Sequence, residues 1–215
     1  MTVKDRYRAV VEWFEQTMPS ADTELHYRNT FELLVAVILS AQCTDKRVNM
    51  ITPALFEAYP TAEAMSRATV DEIFEYIKSV SYPNNKARNL LGAAQMITRE
   101  LGGEIPGDMD SLSKIPRVGR KTANVMLAVA FDRQAMPVDT HVFRVSERIG
   151  LTTDSKTPLE TERTLCKYLP HDKLSRAHHW LILHGRYTCK ARRPDCLRCG
   201  LTAVCRYFSK SSQQE

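Results

Sequence analysis

Residues 111–131 read SLSKIPRVGRKTANVMLAVAF, and this stretch decides the fold. Ser111-Leu112-Ser113-Lys114-Ile115 has the length of one short helix, and Pro116-Arg117-Val118-Gly119 has the composition of a tight turn. A second helix follows from Arg120, with Val125, Leu127 and Val129 apolar. A helix, a hairpin turn and a helix in this order present the unpaired backbone N–H groups of the second helix to solvent. The positive end of that helix's dipole points the same way, which makes a phosphate site indifferent to base sequence. Its natural ligand is a DNA backbone.

Helix signals recur outward from this segment, and no sustained two-residue alternation marks a strand, so an all-α fold is expected. Thr69-Val70-Asp71-Glu72 has the spacing of a capping box, and Thr157-Pro158 places proline at a first helical position. From Lys86 onward, Leu90, Leu91, Ala94, Ile97 and Leu101 keep a helical period until Gly102-Gly103 stops it. Further helices are expected near 122–131, 140–149 and 174–184. Pro53 interrupts 46–59, where the helix is either kinked or begins afresh.

The chain has 215 residues, 43% of them apolar, enough for one large core or two small lobes. The densest apolar run, Phe31 to Leu39, is far shorter than the roughly 20 residues of a membrane span and reads as a buried helix. The N-terminal residues mix charges with apolar side chains and lack the uninterrupted apolar run of a secretory signal, so a cytoplasmic protein without membrane attachment is expected. Nucleoid association is expected only through DNA binding, and the chain is expected to be a monomer. A formal net charge of +5 favours a polyanionic partner without demanding one.

Four of the six cysteines, Cys189, Cys196, Cys199 and Cys205, fall in a C-x6-C-x2-C-x5-C pattern. Four thiolates in so short a loop can surround one centre. Disulfides suit a chain in a reducing compartment poorly. Zinc sites commonly use two close pairs, and only Cys196 and Cys199 form one, so an iron–sulfur cluster is the favoured reading. Lys190, Arg192 and Arg193 lie in the first inter-cysteine segment, where a pinned loop can present cations to phosphates or simply be solvated. Cys43 and Cys166 stand apart and read as packed thiols. His178, His179 and His184 do not define a metal site by spacing and are expected to serve core or surface roles.

The cysteine spacing resembles the [4Fe-4S] signature of the endonuclease III family of DNA glycosylases. Ile115-Pro-Arg-Val-Gly-Arg-Lys-Thr-Ala-Asn124 is similar to that family's helix-hairpin-helix motif, and Val138-Asp-Thr-His-Val-Phe-Arg144 to its second block. The chain departs from the family at Arg117, where the family has the first hairpin glycine. The resemblance implies Lys121 as the catalytic lysine, with Asp139 across the groove helping to deprotonate it and stabilising charge at C1′. Independently of it, the helix dipole and the neighbouring Arg120 disfavour protonation of Lys121, and Asp139 precedes a helix where an N-cap is expected. The resemblance also places Gln42 in the gap beside the orphaned base. Tyr82, with Asn84 nearby, falls in the segment 80–87 that matches the family's intercalating loop, and could instead be packed on the core beside an ordinary turn.

Two helical lobes are therefore expected. One spans 23–135 and carries the helix-hairpin-helix at about 111–131. The other joins 1–22 to 136–215 and carries the cluster loop 189–205, with double-stranded DNA in the groove between them. The phosphate contacts are assigned to Arg117, Val118, Gly119 and Arg120 together with Lys190, Arg192 and Arg193. The implied activity is excision of damaged, oxidised pyrimidines followed by β-elimination at the abasic site. Two alternatives stay open: a monofunctional mismatch glycosylase, which lacks the lysine, and a non-catalytic iron–sulfur DNA-binding module.

Overall fold

The structure, a computed structural model, describes residues 1–211. Among these the regular structure is helical, with three short 3-10 turns and no strand. In chain order the helices are α1 (Val3–Thr17), α2 (Thr30–Ser40), α3 (Asp45–Ala58), α4 (Ala62–Ser66), α5 (Val70–Ile77), α6 (Pro83–Glu100), α7 (Met109–Lys114), α8 (Arg120–Ala130), α9 (Thr140–Ile149), α10 (Pro158–Tyr168), α11 (Leu174–Tyr187) and α12 (Arg206–Ser211). They fall into two compact units, Glu24–Asp132 and Met1–Thr23 with Arg133–Glu215. No helix among the described residues is long and apolar enough to cross a membrane.

The unit Glu24–Asp132 is built around α2, which packs against α3, α6 and α8. Every residue from Phe31 to Leu39 is buried, and each large apolar side chain removed from water contributes about 1.5–3 kcal/mol. The buried run includes Glu32, whose carboxylate accepts 2.7 Å hydrogen bonds from the Arg28 guanidinium and from the Arg28 backbone N–H. The expected capping box is present: Thr69 Oγ1 accepts from Glu72 N, and Glu72 Oε2 accepts from Thr69 N. At the end of α6, Gly102 and Gly103 adopt φ of 66° and 86°, and Gly103 N donates back to Ile97 O at 2.9 Å. Glycine is the residue that takes this left-handed path at no steric cost.

Pro53 lies inside α3, which runs through it as one helix, so no new helix begins there. Local expectation and structure part in two places. Helix α6 starts at Pro83 rather than near Lys86, with proline at its pre-organised first position. Helix α7 starts at Met109, because Asp108 accepts from Ser111 N at 2.8 Å and caps it.

In the other unit α11 packs on α9, which also meets α10 and α12. Phe14 and Trp180 stack with ring centroids 5.6 Å apart, and Trp180 Nε1 donates to Met18 O at 2.8 Å. His178, His179 and His184 are all buried here, and His178 Nδ1 is 2.9 Å from Pro137 O. Cys166 is exposed, contrary to its reading as a packed thiol: Thr161 and Leu165 form the buried stripe of α10, and the next position turns away from it. Cys43 is partly buried against the core of its unit.

Trp13 lies against the backbone of the cysteine loop, such that a Cβ on Gly200 would stand 2.2 Å from Trp13 Nε1 and 2.8 Å from Cε2. Gly200→Ala is expected to cost about 1–3 kcal/mol of stability through overpacking, measured by urea denaturation. A wild-type midpoint would show that Trp13 moves aside without cost.

Candidate functional site

The hairpin joins α7 to α8 and is held from beneath by Leu112, Ile115 and Val118, all buried. Val118 N donates to Ile115 O at 3.0 Å, which closes the turn. Arg117 is exposed with φ 64°, the left-handed conformation that the departure from glycine made an issue. For a residue with a Cβ this costs about 1–2 kcal/mol. Gly119 is the N-cap of α8 and provides no side-chain cap, so the first turn of α8 keeps its positive end open to a ligand. Val118 is only 2% exposed, and its N–H is engaged by Ile115 O.

Lys121 is exposed at the second position of α8. Asp139, in the other unit, is the N-cap of α9: its Oδ1 accepts from His141 N and Val142 N, both at 2.8 Å. Both cap bonds use one oxygen, leaving Oδ2 outside the cap. The neighbouring Val138 and Val142 are buried and fix the position of the carboxylate.

Gln42 and Tyr82 are both exposed, Tyr82 at 65%, so Tyr82 does not pack on the core. Both have left-handed backbones, with φ of 53° and 55°. Asn84 is exposed in the first turn of α6 rather than in a loop, because the helix begins at Pro83.

The four C-terminal cysteines line one cavity with Ile149, His184, Leu201 and Phe208 among its walls. All four are free thiols. Burial, followed by the neighbouring thiols, pushes Cys196 and Cys199 above the ordinary thiol value. Among the described residues no three His, Cys, Asp or Glu side chains are grouped to hold a single metal ion. His184 Nε2 lies 3.6 Å from Cys199 Sγ, and burial holds His184 neutral by lowering its pKa to about 4.

Two arginines of α9 organise this loop, and sequence reasoning missed both. Arg144 donates to Gly185 O at 2.9 Å and to Cys189 O at 3.2 Å. Arg148 donates to Lys190 O at 2.7 Å and to Ala191 O at 3.0 Å, with its guanidinium 4.8 Å from the Tyr207 ring. They fix the backbone of the segment from which Lys190, Arg192 and Arg193 project into solvent. The i, i+4 spacing of the arginines on one helix face was visible in the sequence. Their carbonyl partners, more than 40 residues away, were not.

An all-helical fold with this hairpin defines a class of DNA-repair proteins. Residues 35–171 match the family model described as HhH-GPD superfamily base excision DNA repair protein. The endonuclease III of Rickettsia felis is 46% identical over 93% of this chain and 93% of its own length. That of Bacillus subtilis is 46% identical over 91% and 90%, and that of Escherichia coli 42% over 89% and 90%. A solved structure of a trapped endonuclease III–DNA covalent intermediate superposes with a TM-score of 0.94 at 44% identity, covering 99% of this chain and 100% of that one. A thermostable thymine-DNA glycosylase shares the fold at a TM-score of 0.85 and 22% identity, covering 96% and 98%. The chain belongs to the endonuclease III family of the HhH-GPD superfamily.

Replacing Arg117 removes a cation from the hairpin and relieves its backbone. Arg117→Gly is expected to leave the fold intact and to reduce the slope of log K against log salt for duplex DNA by about 0.9, the value for one phosphate contact. Titrations at several salt concentrations measure it, and an unchanged slope would place Arg117 away from phosphate.

Proposed function

We propose that this protein is a base-excision DNA glycosylase with an associated abasic-site lyase, acting on duplex DNA that carries oxidised pyrimidines. The observation that carries the reading is the trapped covalent intermediate of a 44% identical relative, since a covalent bond to DNA requires a nucleophile on the protein. Lys121 is that nucleophile. It occupies the exposed first turn of α8, beside the open N-terminal end of that helix.

The chemistry follows from an amine at C1′. The Lys121 Nζ forms a bond to C1′ as the N-glycosidic bond breaks and the base leaves with its electron pair. Asp139, by its Oδ2, accepts the proton lost by the ammonium and stabilises the positive charge developing on the sugar. Ring opening yields an imine between Lys121 and C1′. Loss of a proton from C2′ then expels the 3′ phosphate, and hydrolysis of the imine returns the lysine. A monofunctional mismatch glycosylase would not need Lys121, and a non-catalytic module would not need Asp139 and Lys121 together.

The base must leave the stack before C1′ can be reached. Gln42 enters the gap beside the orphaned base, and Tyr82 wedges into the stack, with Asn84 beside it. The open end of α8 after Gly119, together with Arg117 and Arg120, grips one stretch of phosphates, and Lys190, Arg192 and Arg193 grip another. Cys189, Cys196, Cys199 and Cys205 hold a [4Fe-4S] cluster that pins this basic loop. Four free thiols lining one cavity support this reading. The chain acts where DNA is, in the cytoplasm of its cell.

Borohydride reduction on abasic-site duplex tests the mechanism. Wild-type protein is expected to give a covalent adduct and Lys121→Ala none. Absence of an adduct with wild-type protein would overturn the lyase reading and leave the monofunctional glycosylase and the non-catalytic module. Asp139→Asn keeps a cap oxygen, so it is expected to fold normally and lose about 10²- to 10⁴-fold in turnover. Wild-type rates in that variant would remove Asp139 from the mechanism. Metal analysis should find iron rather than zinc, lost together with DNA affinity in Cys196→Ser.

A further inference from the structure

Gln42 and Tyr82 are carried by different elements, yet their backbones are tied together. Helix α2 is buried along its length, so the carbonyls at its end need partners within the protein. Lys86 reaches them from the first turn of α6. Its Nζ donates to Leu39 O at 2.8 Å and to Ala41 O at 2.8 Å, and the residue is only 5% exposed. One position further, Gln42 O accepts from Ser81 Oγ at 2.6 Å. Side-chain donors on either side of Tyr82 thus hold three carbonyls of the stretch that ends in Gln42.

Two features make this more than a helix cap. Burial pushes the Lys86 ammonium below the ordinary lysine value, so a charge is kept here against its desolvation. The charge is held by the negative end of α2 and two carbonyls. Moreover, Gln42 and Tyr82 both keep a left-handed backbone that a Cβ disfavours, with φ of 53° and 55°. Such conformers persist where surrounding contacts over-determine them. The bonds from Lys86 and Ser81 are those contacts.

We propose that Lys86, assisted by Ser81, is a positioning residue that locks the Gln42 and Tyr82 turns into one rigid two-pronged probe for opening the duplex. The inference rests on the assignment of Gln42 and Tyr82 to the gap and the stack. Filling the gap has to occur while the nucleotide is out, and a probe ordered in advance avoids the entropic cost of ordering both turns at that moment. Lys86 touches neither the sugar nor the base. Its loss therefore affects extrusion and leaves the chemistry at C1′ intact.

The test uses the full-length protein with its normal cofactor content and two substrates. A duplex with one oxidised pyrimidine requires extrusion, and a 2-aminopurine beside the lesion reports it by stopped-flow fluorescence. A single-stranded oligonucleotide with one abasic site requires none, and borohydride trapping reports the chemistry. Lys86→Met is expected to slow the fluorescence rise and duplex cleavage by about 10- to 100-fold, the loss of hydrogen bonds from a charged donor. Trapping on the single strand is expected to proceed at the wild-type rate, and Lys86→Arg to recover part of the loss. Ser81→Ala is expected to slow extrusion by up to about tenfold.

Equal losses on both substrates in a folded Lys86→Met would reduce Lys86 to a structural cap and overturn the proposal. So would wild-type extrusion. If Lys86→Met does not fold, Ser81→Ala decides by the same criteria. Gln42→Ala and Tyr82→Ala are run beside them. Normal extrusion in both would overturn the assigned probe and this inference together, whereas slow extrusion in both with normal Lys86→Met and Ser81→Ala would overturn this inference alone.

Discussion

An α-helix leaves its first N–H groups and last carbonyls without intrahelical partners, and a short chain made of helices has many such ends to satisfy. In this protein the positions proposed to be functional lie at or just beyond helix ends, each treated in a different way. The start of α8 lacks a side-chain cap and can take an anion. The start of α9 is capped by Asp139 through one oxygen. The end of α2 is completed by a buried lysine. Beyond the end of α11, Cys189 O is completed by Arg144. The proposed ligand site, catalyst, probe and cofactor loop therefore share one physical origin.

Helix α9 shows how economical this becomes. Asp139 opens it, Arg144 and Arg148 leave its side one turn apart, and together the arginines hold four backbone carbonyls around the start of the cysteine loop. The carboxylate and the exposed cations of that loop thereby share one rigid support. Long cationic side chains suit this task because the guanidinium fork can bond several oxygens while its stem packs against the helix. In the other unit, α2 supplies comparable rigidity by burial, with Glu32 as its one charged buried residue and Arg28 as that residue's partner.

The left-handed residues mark where backbone strain has been retained. Gln42, Tyr82 and Arg117 all carry side chains at positive φ, and all three are exposed. Glycine would relieve the strain at each position and would remove the side chain that the DNA-handling reading needs. Strain held at such sites is offset by the packing beneath, here Ile115 and Val118 under the hairpin and Lys86 under the paired turns.

Much of this was legible in the amino-acid order because it is local. The Thr69–Glu72 box, the Gly102–Gly103 stop, Pro158 at a helix start and the Asp139 cap are decided within a few residues, by side chains reaching their own backbone. The unbroken apolar run of α2 announced a buried helix for the same reason. The tertiary structure decided what depends on residues far apart in the chain: Lys86 under Gln42, Ser81 on its carbonyl, the arginines of α9 on the cysteine loop, and the exposure of Cys166. No local pattern distinguishes a lysine that will be buried against a helix end from one that faces water. The partner carbonyls lie 45 and 47 residues away, and only packing brings them within 2.8 Å.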